Sequence, residues 1–183
     1  MIHVTVNGIF ITQTQASGII LKEREGKRTL PIVIGEYEAQ SIALALENLK
    51  PPRPITHDLA INLLETLGAT MDSIIISDLR DNTYFAIIRL DFGGEILEVD
   101  SRPSDAIALA VRQGIDIYVE ESVMDQASYI PEDDEETDKN YLVRNQTSEI
   151  DQLKEDLKKA VDAEDYEKAA ELRDKIRRLE SGS

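Results

Sequence analysis

Cysteine and tryptophan are absent from the 183 residues, and only three phenylalanines occur. Without cysteine there is no disulfide, no thiolate metal site and no thiol nucleophile. So few large aromatics leave no broad platform on which bases could stack. No apolar run approaches the roughly 18 residues of a membrane span. The opening MIHVTVNGIFITQ has no basic flank ahead of its apolar residues, so it does not read as a signal peptide. The expectation is a soluble, cytoplasmic protein with no membrane partner.

Basic charge is also short. The net formal charge is −16. Residues 1–131 carry 10 basic and 19 acidic groups, residues 132–148 carry 2 and 6, and residues 149–183 carry 8 and 11. No block is basic, so the counterion release that drives non-specific nucleic-acid binding has no source. Any nucleic acid would have to be held locally, by a few arginines or through a divalent ion.

What is present is enough Leu, Ile, Val and Ala, within 42% hydrophobic residues, to fill one core. Alternation and β-branched residues predict strands at about 2–12, 18–24 and 28–34. GEYEAQSIALALENL then switches to helical spacing, with Ala39, Ile42, Leu46 and Leu49 on one face. KPPRP breaks that helix, because proline removes a donor and restricts the residue before it. THDLAINLLETLG predicts a second helix with Leu59, Leu63, Leu64 and Leu67 inward and Gly68 as its stop. ATMDSIIISDL, NTYFAIIRLDF and GEILEVDS read as three more strands joined by RDN and GG turns. SRPSDAIALAVRQG is a third helix ended by Gly114, and IDIYVE a last short strand.

The expected class is α+β: a mixed, largely antiparallel sheet with three packed helices, followed by an acidic linker and a C-terminal α-helical hairpin. The divisions fall at 1–130, 131–147 and 148–183. Six acids in the seven residues from Glu132 to Asp138 repel one another and bury nothing, which marks the linker. In the tail, Ile150, Leu153, Leu157 and Val161 form one stripe. Tyr166, Ala169, Ala170, Leu172, Arg173, Ile176 and Leu179 form another. A hairpin this short buries little surface alone and is completed by a second copy or by another protein.

Each of the three predicted helices starts polar, just after a Gly or Pro. The first carries Glu36 and Glu38, the second Arg53, Thr56, His57 and Asp58, the third Arg102, Ser104 and Asp105. Thr56 and Ser104 read as N-caps, and Asp58 and Asp105 suit the positive end of a helix dipole. Capping does not account for Arg53 and Arg102, whose charge is on the wrong end of that dipole, nor for a histidine. Two arginines beside free backbone N–H groups suit a phosphate, and Ser104 adds a polar contact to it. Glu38, Asp58 and Asp105 would suit a divalent ion, Mg²⁺ or Mn²⁺, bridging that phosphate. His57 would activate water or protonate a leaving oxygen. On this reading His57, Asp58, Arg53, Arg102 and Asp105 form the catalytic set, provided the three helix starts converge.

LPIVIGEYEAQSIALAL, RPITHDL and VDSRPSDAIALAVR together resemble the bifunctional nuclease (BFN) domain family over residues 1 to about 130. The resemblance implies an α/β domain that oligomerises and that degrades both RNA and DNA. The matched positions are Glu36, Glu38, Arg53, His57, Asp58, Arg102, Ser104 and Asp105. The tail resembles the UVR motif of bacterial excision-repair subunits, through Tyr166, Ala169, Ala170, Leu172, Arg173, Asp174, Ile176 and Leu179. That likeness implies protein–protein contact with no chemistry of its own. Two other readings stay open on the residues alone. One is an adaptor whose motif residues form a structural ion-pair network or a subunit interface. The other is a sensor of a small anion or nucleotide.

Overall fold

The structure is a computed structural model, and it describes residues 1–12, 16–131, 157, 168–173 and 175. Seven strands form one mixed sheet: β1 (Ile2–Ile11), β2 (Ser17–Glu23), β3 (Thr29–Ile34), β4 (Ala69–Arg80), β5 (Thr83–Phe92), β6 (Glu95–Ser101) and β7 (Asp116–Val119). Their order is β3-β2-β1-β7-β4-β5-β6. All pairings are antiparallel except β4 with β7, which joins the two hairpin-built halves. The α+β class and the mixed, largely antiparallel sheet are thus as expected.

The sheet curls strongly. In a flat sheet β3 and β5 would stand five strand spacings apart, about 24 Å. Yet the Tyr84 hydroxyl on β5 donates to the Pro31 carbonyl on β3 at 3.4 Å. Burial pushes that phenol up to about 12. The curl gives a concave face, which helices α1 (Glu36–Leu46), α2 (Thr56–Thr66) and α3 (Pro103–Gln113) fill. A fourth helix, α4 (Glu121–Ala127), was not expected; it packs on β3 and β4 through buried Val123 and Met124. Tyr129 beyond it pairs with Thr29 through two backbone hydrogen bonds of 2.8 and 2.9 Å.

Helix α3 is the central one, lying on β4, β5 and β7 with α1 and α2 on either side. Its run of Ala106, Ile107, Ala108, Leu109 and Ala110 is buried throughout. The alanines let neighbouring helices approach closely, while Ile107, fully buried, contributes about 1.5–3 kcal/mol. Gly114 ends the helix in the left-handed region at φ 66°, where a glycine carries no penalty. Gly68 follows α2 at φ 80° in the same way.

The inward faces differ from the expected ones. Ala39 and Ile42 are buried on α1, but Leu46 and Leu49 are exposed. On α2 the inward residues are Ile61, with Ala60 and Leu64 partly buried, whereas Leu59, Leu63 and Leu67 face outward at 51, 56 and 70% exposure. The most apolar stripe is therefore the outer one. Polar anchors decide the rotation of α2: His57 and Asp58 bond to neighbouring helices, and Ile61 and Leu64 follow on their side of the helix.

Of the tail, Leu157, residues 168–173 and Lys175 are helical, with Ala169 buried and Leu172 half-buried. The acidic run, Tyr166 and the rest of both apolar stripes lie outside the described residues.

Candidate functional site

The first turns of α1, α2 and α3 converge, as the site hypothesis requires. Gly35 precedes α1, and its missing side chain leaves room for Glu38 to fold back over the helix start. Ser41 lies one turn further along the same face and is buried. Helix α2 supplies His57 and Asp58, and α3 supplies Arg102, Asp105 and, two turns on, Arg112.

One hydrogen-bonded chain runs through these groups. Ser41 Oγ lies 2.9 Å from His57 Nδ1, and His57 Nε2 lies 3.4 Å from Asp105 Oδ1. Arg102 grips Asp105 with two prongs, Nε to Oδ2 at 2.7 Å and Nη2 to Oδ1 at 3.0 Å. Its third nitrogen, Nη1, reaches Glu38 Oε1 at 3.1 Å. At the inner end Arg112 Nη2 donates to Ser41 Oγ at 2.9 Å and to the Ser41 carbonyl at 3.0 Å. Arg112 Nη1 donates to the Ala108 carbonyl at 2.8 Å and Nε to Asp58 Oδ1 at 2.9 Å. The outer arginine side chain is 65% exposed and the inner one 9%.

Electrostatics follow this geometry. Burial pushes the Asp105 carboxyl up, but Arg102 and then His57 outweigh it and hold the group below the usual carboxylate range. Burial likewise raises Asp58, and the Ile55 amide and Arg112 more than reverse it. The bond to Asp105 raises Arg102 further. All three groups are therefore charged at neutral pH.

Each sequence-derived site residue has a definite place. Glu38, His57, Arg102 and Asp105 come together. Asp58 sits one step inward: its Oδ1 takes Arg112 and its Oδ2 accepts the Ile55 amide at 3.1 Å, the reaching-back half of a capping box. Arg53 is exposed and has no hydrogen bond or ion pair among the described residues. The expected caps are displaced. Helix α2 begins at Thr56 with Ile55 as its cap, and α3 begins at Pro103 with Arg102 as its cap. Neither Thr56 nor Ser104 bonds as a cap, and Ser104 is buried at 7% exposure.

The expected metal set does not fit. Glu38 and Asp105 are neutralised by Arg102 and Asp58 by Arg112, and no three His, Asp or Glu side chains among the described residues group closely enough to hold a metal ion. Ser104, suggested as a substrate contact, is buried rather than exposed.

The family model described as the bifunctional nuclease domain matches residues 19–132, more than half of the chain. This chain belongs to the bifunctional nuclease domain family. A second model, the UvrB/UvrC motif, matches residues 147–182. An uncharacterized protein of Mycobacterium tuberculosis is 39% identical over 156 residues, covering 85% of this chain and 92% of that protein. Bifunctional nuclease 2 of Arabidopsis thaliana is 29% identical over 185 residues, which is 90% of this chain but 56% of the plant protein. Bifunctional nuclease 1 of Oryza sativa subsp. japonica is 30% identical over 105 residues, 55% of this chain and 32% of its own. Both resemblances read from the motifs therefore hold.

Two members of the site in this bifunctional nuclease domain escaped sequence reading, Ser41 and Arg112. Ser41 is a lone hydroxyl at the head of the apolar run 42–46, one helical turn after Glu38; that spacing was the available signal. Arg112 reads from sequence as a cation at a helix C-terminus, where the dipole alone explains it. A cavity of about 400 Å³ opens beside the network between Leu44, Leu49, Pro54, Ile61 and Val111. It reaches Asp58 and Arg112 but not His57, Arg102 or Asp105, so the chemistry-bearing groups lie outside it.

Proposed function

We propose that this domain hydrolyses phosphodiester bonds of RNA and DNA at the convergent helix starts. The observation that carries the reading is the outer end of the network: an exposed arginine bonded to two carboxylates, one of which also meets a histidine, in a chain of the nuclease family. Arg102 turns from its carboxylates to the scissile phosphate and stabilises charge developing on it. Arg53, open to solvent, supplies a second phosphate contact. His57 faces the same space, while Asp58 positions Arg112 instead of touching substrate. Glu38 and Asp105 are freed as Arg102 turns, but Asp58 stays with Arg112 and no third carboxylate joins them among the described residues, so no step is assigned to a metal ion.

The tail is proposed to bind a protein partner, the outward Leu59, Leu63 and Leu67 support a homo-oligomer, and a cytoplasmic setting is proposed with them. An adaptor without catalysis is the second reading. The mutual neutralisation of Arg112 with Asp58, and the acidic balance of the chain, favour it.

The test is degradation of short single-stranded RNA and DNA by the full chain, with Mg²⁺, Mn²⁺ or EDTA. Asp105→Ala and Arg102→Ala are run beside it, with melting curves. Expected is cleavage that falls by about 10²–10³ in both folded variants. Cleavage unchanged in both, or none from the parent chain under any condition, rejects the nuclease reading and leaves the adaptor.

A further inference from the structure

We infer that Arg112 and Ser41 hold the neutral His57 ring in one tautomer, with its proton on Nε2, so that the ring meets the outer site as a hydrogen-bond donor. This deepens the phosphodiesterase reading and rests on it for the chemistry, though not for the tautomer. Ser41 is then a positioning residue. It is not the nucleophile that a serine beside a histidine and an aspartate suggests.

The assignment follows from counting donors and acceptors. A guanidinium only donates, so Arg112 Nη2 gives its hydrogen to Ser41 Oγ at 2.9 Å. The hydroxyl has one proton of its own. Given to His57 Nδ1 at 2.9 Å, it makes Nδ1 the acceptor and leaves the ring proton on Nε2, 3.4 Å from the Asp105 carboxylate. Every group is then matched. With the proton on Nδ1 instead, the two lone pairs of Ser41 Oγ could take both donors, but its own proton would have no acceptor among the described residues, and the bare Nε2 would point its lone pair at an anion. Both ends of the ring thus favour the same form.

Burial and charge remove the nucleophile reading. Ser41 is 7% exposed and sits inside α1. Its oxygen also accepts from a cation, which withdraws electron density and makes the hydroxyl a better donor and a poorer nucleophile. With Nδ1 engaged, the neutral ring offers no free base. What it offers is Nε2–H, beside the exposed Arg102, as a donor to a phosphoryl oxygen, and no proton leaves the ring. Polarisation of the phosphate by His57 replaces the activation of water and the protonation of the leaving group expected of it. As the P–O ester bond breaks, the attacking water's proton goes to Glu38, freed when Arg102 turns, and the leaving oxygen takes its proton from solvent.

The chain has two histidines, so ¹⁵N-histidine labelling of the full chain gives two sets of ring signals, and His3→Gln assigns them. Long-range ¹H–¹⁵N correlation at about pH 8.5, roughly two units above the ordinary imidazole value, separates protonated from bare nitrogens. Expected for His57 is a protonated Nε2 and a bare, hydrogen-bonded Nδ1. Ser41→Ala shifts the Nδ1 signal toward that of an unbonded nitrogen and leaves His3 unmoved, while Ser41→Thr keeps the parent spectrum. A protonated Nδ1 in the parent chain, or an unchanged His57 in folded Ser41→Ala, overturns the proposal. If Ser41→Ala does not fold, Ser41→Cys, whose thiol is a weak donor, must move Nδ1 in the same direction, and no movement is equally fatal. In the cleavage assay Ser41→Ala lowers kcat by up to about a hundredfold with KM held. A parent chain that cleaves nothing but shows the expected spectrum sinks the nuclease reading alone.

Discussion

Two clusters in this molecule are built around a well-held arginine, and they are put to different ends. Arg28, in the turn before β3, meets three carboxylates: Glu23 through Nε and Nη2 at 3.1 Å each, Glu121 at 2.8 Å and Asp125 at 3.2 Å. The result ties the β2–β3 hairpin to α4 and holds Glu23 below its usual range, chiefly through the Arg28 hydrogen bond. Arg112 meets a single carboxylate; its other acceptors are two backbone carbonyls and the Ser41 hydroxyl. Carboxylates around Arg28 end the network, because an ionised acid has nothing further to donate. A hydroxyl both accepts and donates, so the network of Arg112 continues to His57, Asp105 and Arg102. Ion pairing alone makes a staple. A site requires groups that pass hydrogen bonds onward to an exposed end.

Substitutions probe that contrast, beginning with the largest effect. Arg112→Met should cost about 2–3 kcal/mol in urea unfolding, since it leaves half-buried Asp58 and buried Ser41 without their donor. The same variant carries a pH signature. Asp58 has a depressed folded pKa, so its stabilisation is present above about pH 4 and lost as pH falls through the folded value. The gap between parent and variant should therefore narrow on acidification. A loss below about 1 kcal/mol would erase the distinction between the clusters.

Arg28→Ala should cost about 1 kcal/mol, because Glu121 and Asp125 are largely exposed and water screens them. Its cost should shrink as salt is raised, and cleavage should not change. A cost that exceeds that of Arg112→Met would reverse the ranking. Arg102→Ala should leave the melting temperature within a few degrees of the parent, since the side chain is 65% exposed, while abolishing most cleavage. Unfolding in this variant would make Arg102 structural and return the outer cluster to the same class as Arg28.

Much was legible before any coordinates. The strands declared themselves by alternation and the helix stops by Gly68 and Gly114. The polar helix starts stood out because Arg53, His57 and Arg102 are poor explanations for capping. Less visible were α4, whose seven residues carry too short a pattern, and the rotation of α2. Leu59, Leu63 and Leu67 satisfy every rule for an inward stripe, yet face outward because bonds from His57 and Asp58 fix the helix the other way.

Composition and local pattern thus determined the class of fold, the family motifs and the residue types able to handle a phosphate. Those properties depend on neighbours within a few positions along the chain. Which carboxylate meets which arginine, and that Ser41 belongs to the site at all, was decided only when three helices closed on a curled sheet. Arg112 and Ser41 are 71 residues apart in sequence and 2.9 Å apart in the fold. Hydrogen bonding is a matter of angstroms, and no local pattern in the chain encodes that distance.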